Sequence, residues 1–276
     1  MIADVEQLYR QHFTQADRHL LGTLRPEGGE LGDVLEDPAI ELALFGPAEP
    51  GAPLAATSPF LTFAVAVHRS AARMRTATYV EERAAPRQRV PVFGVAPLND
   101  LLADPGRRLF LVELLASYTH VASGTTWQRT RRGWRRRRFS ELDPVRLAGL
   151  LEAVEPSERA GVYRRLGDLA LFLTGVFVDH GAVFEIGPAG AERLARLSGL
   201  RPGTGTPVPG PELLEALGSR WYSLALGAAR ATRTPVTGTL RAVEDIATRF
   251  VEARRVLNVV TDWYLFPLRP RWFGLG

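Results

Sequence analysis

The stretch Tyr163-Arg164-Arg165-Leu166-Gly167-Asp168-Leu169-Ala170-Leu171-Phe172-Leu173-Thr174-Gly175-Val176-Phe177 decides how the rest of the chain is read. Positions 162, 166, 169, 173, 176 and 180 recur at helical spacing and form one stripe. Leu171 and Phe172 make the opposite side apolar as well, and a helix that is apolar all round has to be enclosed by other elements. The spacing therefore predicts a buried helix from Glu155-Pro156 to roughly His180, at the centre of a helical core. Its carboxylate, Asp168, must be paired or carry a raised pKa, because an isolated charge in an apolar interior is costly.

Helical patterns extend outward on both sides. Val5, Leu8, Tyr9, Phe13, Ala16 and Leu20 predict an amphipathic helix over Ile2–Leu21. Residues 22–57 read mostly as loop, with a short helix possible at Pro38–Phe45. Ser58-Pro59 starts a long helix toward Arg83, since serine caps and proline suits the first turn. Pro86, Pro91 and Pro97 impose an extended crossing, Asn99–Ala103 reads as a short helix, and Asp104-Pro105 starts a helix reaching about Ala122. Asp143-Pro144 starts another, to about Val154. A short helix is expected over Ala191–Leu197, residues 201–211 read as the clearest loop, and helices follow from Pro211 and from Thr234-Pro235. The last residues, 265–276, with Phe266, Trp272 and Phe273 among two prolines, read as an extended aromatic tail. The fold class expected is mainly α: a single helical, bundle-like domain over 1–276 with one small β-hairpin.

That hairpin is residues 125–140. Thr125–Thr130 and Trp134–Phe139 lose the helical period and flank Arg131-Arg132-Gly133, a turn containing glycine. On the second strand Trp134, Arg136 and Arg138 would share one face, and Arg135, Arg137 and Phe139 the other.

Charge is distributed in a way that points to the same segment. The chain has 276 residues and a net charge of +4; all 34 of its basic residues are arginines. Arg129, Arg131, Arg132, Arg135, Arg136, Arg137 and Arg138 fall in one ten-residue run without an acid, and the remainder of the chain is net acidic by three charges. The basicity is therefore a local patch. Absence of cysteine removes disulfides, thiolate nucleophiles and cysteine-ligated metals from consideration. Absence of lysine removes Schiff-base chemistry and the Walker and kinase lysines. Five histidines show no zinc-binding spacing, Glu113 and His120 two turns apart being the nearest approach, and Gly203-Thr204-Gly205 lacks the third glycine and preceding strand of a dinucleotide site. No metal, cofactor or catalytic residue is expected. The N-terminal segment has no signal-like apolar run, and Leu169–Val178 is about half the length that crosses a bilayer, so a cytoplasmic protein without a membrane partner is the expectation.

Two sites follow. In the first, Arg129, Arg131, Arg132, Trp134, Arg135, Arg136, Arg137 and Arg138 bind an anionic partner, whether nucleic acid, nucleotide or acidic protein surface, in a non-enzymatic binding or scaffold protein, possibly a homo-oligomer. The structural alternative is a solvated hairpin whose arginines pair with Glu141, Asp143, Glu152 and Glu155, or that covers a groove in a dimer. In the second, Arg254 occupies the core stripe of Leu240, Val243, Ala247, Phe250, Leu257, Thr261 and Tyr264, with Asn258 and Asp262 one and two turns on. A buried Asp168–Arg254 pair would join two helices; its functional version is a small-molecule or enzyme pocket anchored by Asp168, Arg254, Asn258 and Asp262.

The Tyr163–Phe177 segment and the segment Ala253-Arg254-Arg255-Val256-Leu257-Asn258 through Asp262-Trp263-Tyr264-Leu265-Phe266-Pro267-Leu268-Arg269 resemble an uncharacterised family of helical bacterial proteins, actinobacterial in type, with no assigned activity. The resemblance extends from about Phe110 to the C-terminus. It implies that the Asp168 and Arg254 helices recur together, and carries over no catalytic residue.

Overall fold

The computed structural model describes residues 2–47, 57–85, 88–121, 123–130, 133–178, 186–200, 211–231 and 238–273. Among these the fold is mainly α, and the chain divides into two compact units, one comprising Met1–Glu82, Arg89–His120 and Arg255–Gly276, the other Arg83–Gln88 and Val121–Arg254. No helix among the described residues is long and apolar enough to cross a membrane.

The first unit opens with two helices, α1 (Ile2–His12) and α2 (Gln15–Leu24), where the periodicity predicts one over Ile2–Leu21. Thr14 causes the break. Its hydroxyl accepts from Asp17 N at 3.1 Å while the Asp17 carboxylate accepts from Thr14 N at 2.8 Å, a capping box that starts a new helix in phase with its own hydrogen bonds. The other Asp17 oxygen accepts from Ser58 N at 2.9 Å, which ties α2 to the N-cap of the helix that begins at Pro59. Between them lie α3 (Leu31–Leu35) and α4 (Pro38–Phe45), the latter capped by Asp37, so residues 22–47 are less loop-like than their proline and glycine content suggests; residues 48–56 of the expected loop lie outside the described residues.

Helix α5 (Pro59–Met74) is the centre of this unit, with buried residues on every side from Phe60 to Met74. It ends short of Arg83. Thr76 N and Ala77 N turn back to Arg73 O and Met74 O, and the β-branched and aromatic residues that follow, Thr78, Tyr79 and Val80, suit an extended chain. They lead into a second hairpin that the helical pattern concealed, β1 (Val80–Ala85) with β2 (Gln88–Val92). Helices α6 (Ala96–Ala103) and α7 (Pro105–Ser117) follow and pack on α5. The C-terminal segment is helical, not extended: a π-helical turn at Thr261–Leu265, a 3-10 turn at Phe266–Leu268 and α14 (Arg269–Phe273). Phe273 stacks on Phe63 of α5 at a centroid distance of 5.7 Å, and Trp272 meets the same ring edge-on. Phe273 is thereby buried within this unit, while Phe266 stays exposed.

The second unit begins with β3 (Ser123–Thr130) and β4 (Gly133–Ser140), then α8 (Pro144–Ala148), a 3-10 turn at Gly149–Glu152, α9 (Arg159–Val176), α10 (Pro188–Leu197), α11 (Pro211–Ala231) and α12 (Gly238–Thr248). Helix α13 (Phe250–Val260) spans both units, residues 250–254 in the second and 255–260 in the first. The loop expected at 201–211 falls, up to residue 210, outside the described residues, as does His180 at the expected end of the central helix. All residues from Leu166 to Val176 of α9 are buried, which is what an all-round apolar helix requires. Its principal neighbour is α11. Two glycines set that approach: a β-carbon on Gly167 would lie 2.6 Å from the Tyr222 ring, and one on Gly218 would lie 2.9 Å from the Ala170 β-carbon and 2.3 Å from Phe250. Trp221 and Tyr222, both fully enclosed, supply much of the apolar area buried there, each large aromatic contributing several kcal/mol at about 25 cal/mol per Å².

Candidate functional site

The arginine-rich strands form because β-branched and aromatic residues dominate β3, and because Gly133 adopts φ +108°, a conformation that residues with a β-carbon rarely reach. The antiparallel ladder pairs Thr130 with Gly133, Arg129 with Trp134, Gln128 with Arg135, Trp127 with Arg136, Thr126 with Arg137 and Thr125 with Arg138. Arg131 and Arg132 lie outside the described residues.

Directly opposed residues share a face of the pleat. The register therefore groups Thr125, Trp127, Arg129, Trp134, Arg136 and Arg138 on one face, and Thr126, Gln128, Arg135, Arg137 and Phe139 on the other. Strand sequence alone assigns Trp134, Arg136 and Arg138 to one side; pairing adds Trp127 and Arg129, which only a known register can supply. No position of the hairpin from 123 to 140 is acidic, so every cross-strand neighbour of an arginine is Trp, Thr or Gln. Three acids near the hairpin in sequence have partners among the described side chains of this unit. Glu141 binds Arg165 at 3.2 Å, Glu152 binds Arg193 at 3.1 Å, and Asp143 binds Arg146 at 2.9 Å while capping α8 through Val145 N and Arg146 N.

The residues of the second expected site fall in both units, with Arg254 and Asn258 one turn apart on α13. Asp168 and Arg254 belong to the second unit, Asn258 and Asp262 to the first. The partner expected for Asp168 was Arg254; instead it accepts a hydrogen bond from Tyr222 Oη at 2.8 Å and has Arg164, one turn earlier on its own helix, at 3.7 Å. The reason is packing: α9 lies against α11, and the missing side chain of Gly167 seats the Tyr222 ring with its hydroxyl at the neighbouring carboxylate. Burial raises the Asp168 pKa despite the opposing pull of Arg164, Tyr222 and Arg165. Arg254 binds Glu215 of α11 at 2.7 Å. Asp262 binds Arg89 at 3.3 Å, and Asn258 is buried. Each of the three charges thus has a structural partner nearby, an arrangement in keeping with an architectural core. Tyr222 and Glu215 were missed because nothing in their spacing marks them; the only signal is the glycine beside Asp168.

Three of the five histidines have local partners among the described residues, and His180 lies outside them. His12 lies 3.5 Å from Glu113 and stacks on Phe60. His68 is buried between Tyr9 Oη at 3.1 Å and Arg108 at 3.4 Å, with its pKa pushed down to about 3 by burial and then by the Arg108 and Arg75 charges, so the imidazole is neutral at any ordinary pH. His120 lies beside Thr119 at 3.0 Å.

No protein-family model, curated protein or solved structure matches this chain.

Proposed function

We propose that the protein binds single-stranded nucleic acid through the 123–140 hairpin, as a binding protein and not an enzyme. The observation that carries this reading is the register, which groups two tryptophans with Arg129, Arg136 and Arg138 on one face of a ribbon that has no acid. Aromatic rings stack on unpaired bases for roughly 1–3 kcal/mol per base, whatever the base, and guanidinium groups hold phosphates, so the combination favours single strands without reading sequence. The opposite face, with Arg135 and Arg137, adds to the local potential and steers encounter.

Fluorescence anisotropy with a labelled oligothymidylate tests this, with duplex DNA and heparin in parallel. If the three arginines of the tryptophan face each neutralise one phosphate, the slope of log K against log salt is about −2, at roughly 0.7 per contact for single strands. Arg136→Ser with Arg138→Ser is expected to flatten that slope by more than half. Trp127→Ala with Trp134→Ala is expected to weaken the oligonucleotide and leave heparin unchanged. Absence of binding at low salt, or binding indifferent to both double variants, refutes the proposal; equal binding of duplex and single strand with no effect of the tryptophans refutes the stacking component.

A further inference from the structure

Separate from the hairpin, in the first unit, α1, α2, α3 and the turn between α2 and α3 enclose a cleft of about 480 Å³, within the usual range of small-molecule sites. Its floor is apolar: Phe13, Leu31 and Val34 are buried, and Leu21 is half-buried beside them. Its rim carries three guanidinium groups, from Arg10, Arg18 and Arg25. The connecting turn is kept narrow by Gly28 and Gly29, at φ +70° and +141°; a β-carbon on Gly29 would come within 3.6 Å of Arg25 Nη2 and 3.7 Å of Val34, at the wall of the cleft.

Three arginines and no acid line this cleft, while Glu27, Glu30 and Asp33 belong to the same turn and helix outside the lining. Arg25 is held by Asp37 at 2.6 Å, and Arg10 lies 3.8 Å from Glu6. Both carboxylates also serve the backbone, Asp37 at Ala39 N and Glu6 at Leu31 N. Arg18 donates to the Arg10 carbonyl at 3.0 Å, and no carboxylate among the described residues lies within ion-pair distance of it. Arg18 is on the exposed side of α2, with four further N–H donors beside an apolar floor. A group that completes this arrangement must bring one negative charge to the rim and an apolar body to the floor.

We infer that this cleft binds a small amphiphilic anion, an apolar body bearing a single carboxylate or phosphate head, with Arg18 as the principal head-group ligand and Phe13, Leu21, Leu31 and Val34 receiving the body. Arg10 lends long-range attraction, while Arg25 chiefly holds the turn in place through Asp37. Charge-assisted hydrogen bonds from Arg18 then set the preference for an anion over a neutral molecule of the same shape.

Titration calorimetry on the full chain tests the inference with decanoate and decyl phosphate below their micelle concentrations, against decanol and inorganic phosphate. Decanoate and decyl phosphate are expected to bind at least about tenfold more tightly than either control, since losing the head or the body removes one half of the recognition. Arg18→Gln, an exposed substitution that leaves the Asp37 bridge untouched, is expected to weaken the two amphiphiles about tenfold and leave decanol unchanged. Leu21→Gln is expected to weaken all three decyl compounds. Decanol binding as well as decanoate, Arg18→Gln leaving the affinities unchanged, or no binding of either amphiphile overturns the inference. Oligonucleotide binding is expected to be indifferent to Arg18→Gln, which separates the failure of this site from failure of the hairpin.

Discussion

Gly218 and Gly227 lie in the interior of the same helix, α11, and the same substitution at each is expected to have opposite effects. At Gly227, exposed and with open space where a β-carbon would stand, alanine removes only the helix penalty of glycine and stabilises by about 0.8–1 kcal/mol. At Gly218 the same gain is offset by contact: the new carbon would stand 2.3 and 2.5 Å from Phe250 and 2.9 Å from the Ala170 β-carbon. Phe250 cannot yield freely, because its ring abuts Tyr222 at a centroid distance of 6.1 Å. Overpacking of this kind costs roughly 1–3 kcal/mol, and contacts this short on two helices place Gly218→Ala near the upper end, a net loss of about 2 kcal/mol. The difference between the variants is then about 3 kcal/mol, or roughly 6–12 °C in Tm for a unit of this size. Chemical and thermal denaturation of the two variants measure it directly. A Gly218→Ala protein as stable as Gly227→Ala would show that α9, α11 and α13 do not meet as described, and would remove the explanation for Tyr222 reaching Asp168.

Two further outcomes follow from individual groups. Because the folded state raises the Asp168 pKa, the native protein holds that proton to higher pH than the unfolded chain; stability from this group is present below about pH 4 and is lost as pH rises through the folded value. Asp168→Asn lacks that loss, so in denaturant titrations it is expected to be more stable than wild type at pH 7, with the gap closing toward pH 3.5; a gap independent of pH, or a less stable variant at pH 7, refutes the assignment. At the α1–α2 break, Thr14→Ala removes one cap and is expected to cost about 1 kcal/mol, whereas Asp17→Ala orphans Thr14 N and Ser58 N together and is expected to cost about 3 kcal/mol or more. Equal losses in the two variants would contradict the bridging role of Asp17.

Elements whose evidence is local were legible in the chain. The helix of Leu166–Val176 announces its burial by carrying no polar face, and Asp143-Pro144 and Ser58-Pro59 mark helix starts because cap and proline act within one turn. The hairpin was legible from a change of period and a glycine. Where reading failed, a weak local cue competed with a strong pattern: the Thr14–Asp17 capping box interrupts an apolar stripe that continues smoothly across it, and the strand at Val80 follows a helix whose pattern runs on. The prolines of residues 265–276 point to an extended chain, yet proline is tolerated in first turns, and the packing of Phe273 on Phe63 stabilises the short helix.

Sequence by itself determined that the protein is mainly α, that a carboxylate would be buried at the middle of its central helix, and that its positive charge is concentrated on one ribbon. Each of these depends on neighbours within a turn or a strand. Tertiary structure decided which groups meet and which positions pair: Tyr222 and not Arg254 at Asp168, Arg18 over an apolar floor built from α1, α2 and α3, and Trp127 opposite Arg136 in the strand ladder. Such pairings depend on how closely two elements approach and in what register. A glycine such as Gly167 changes that distance by the width of a side chain, an effect felt on another helix and invisible in the spacing of its own.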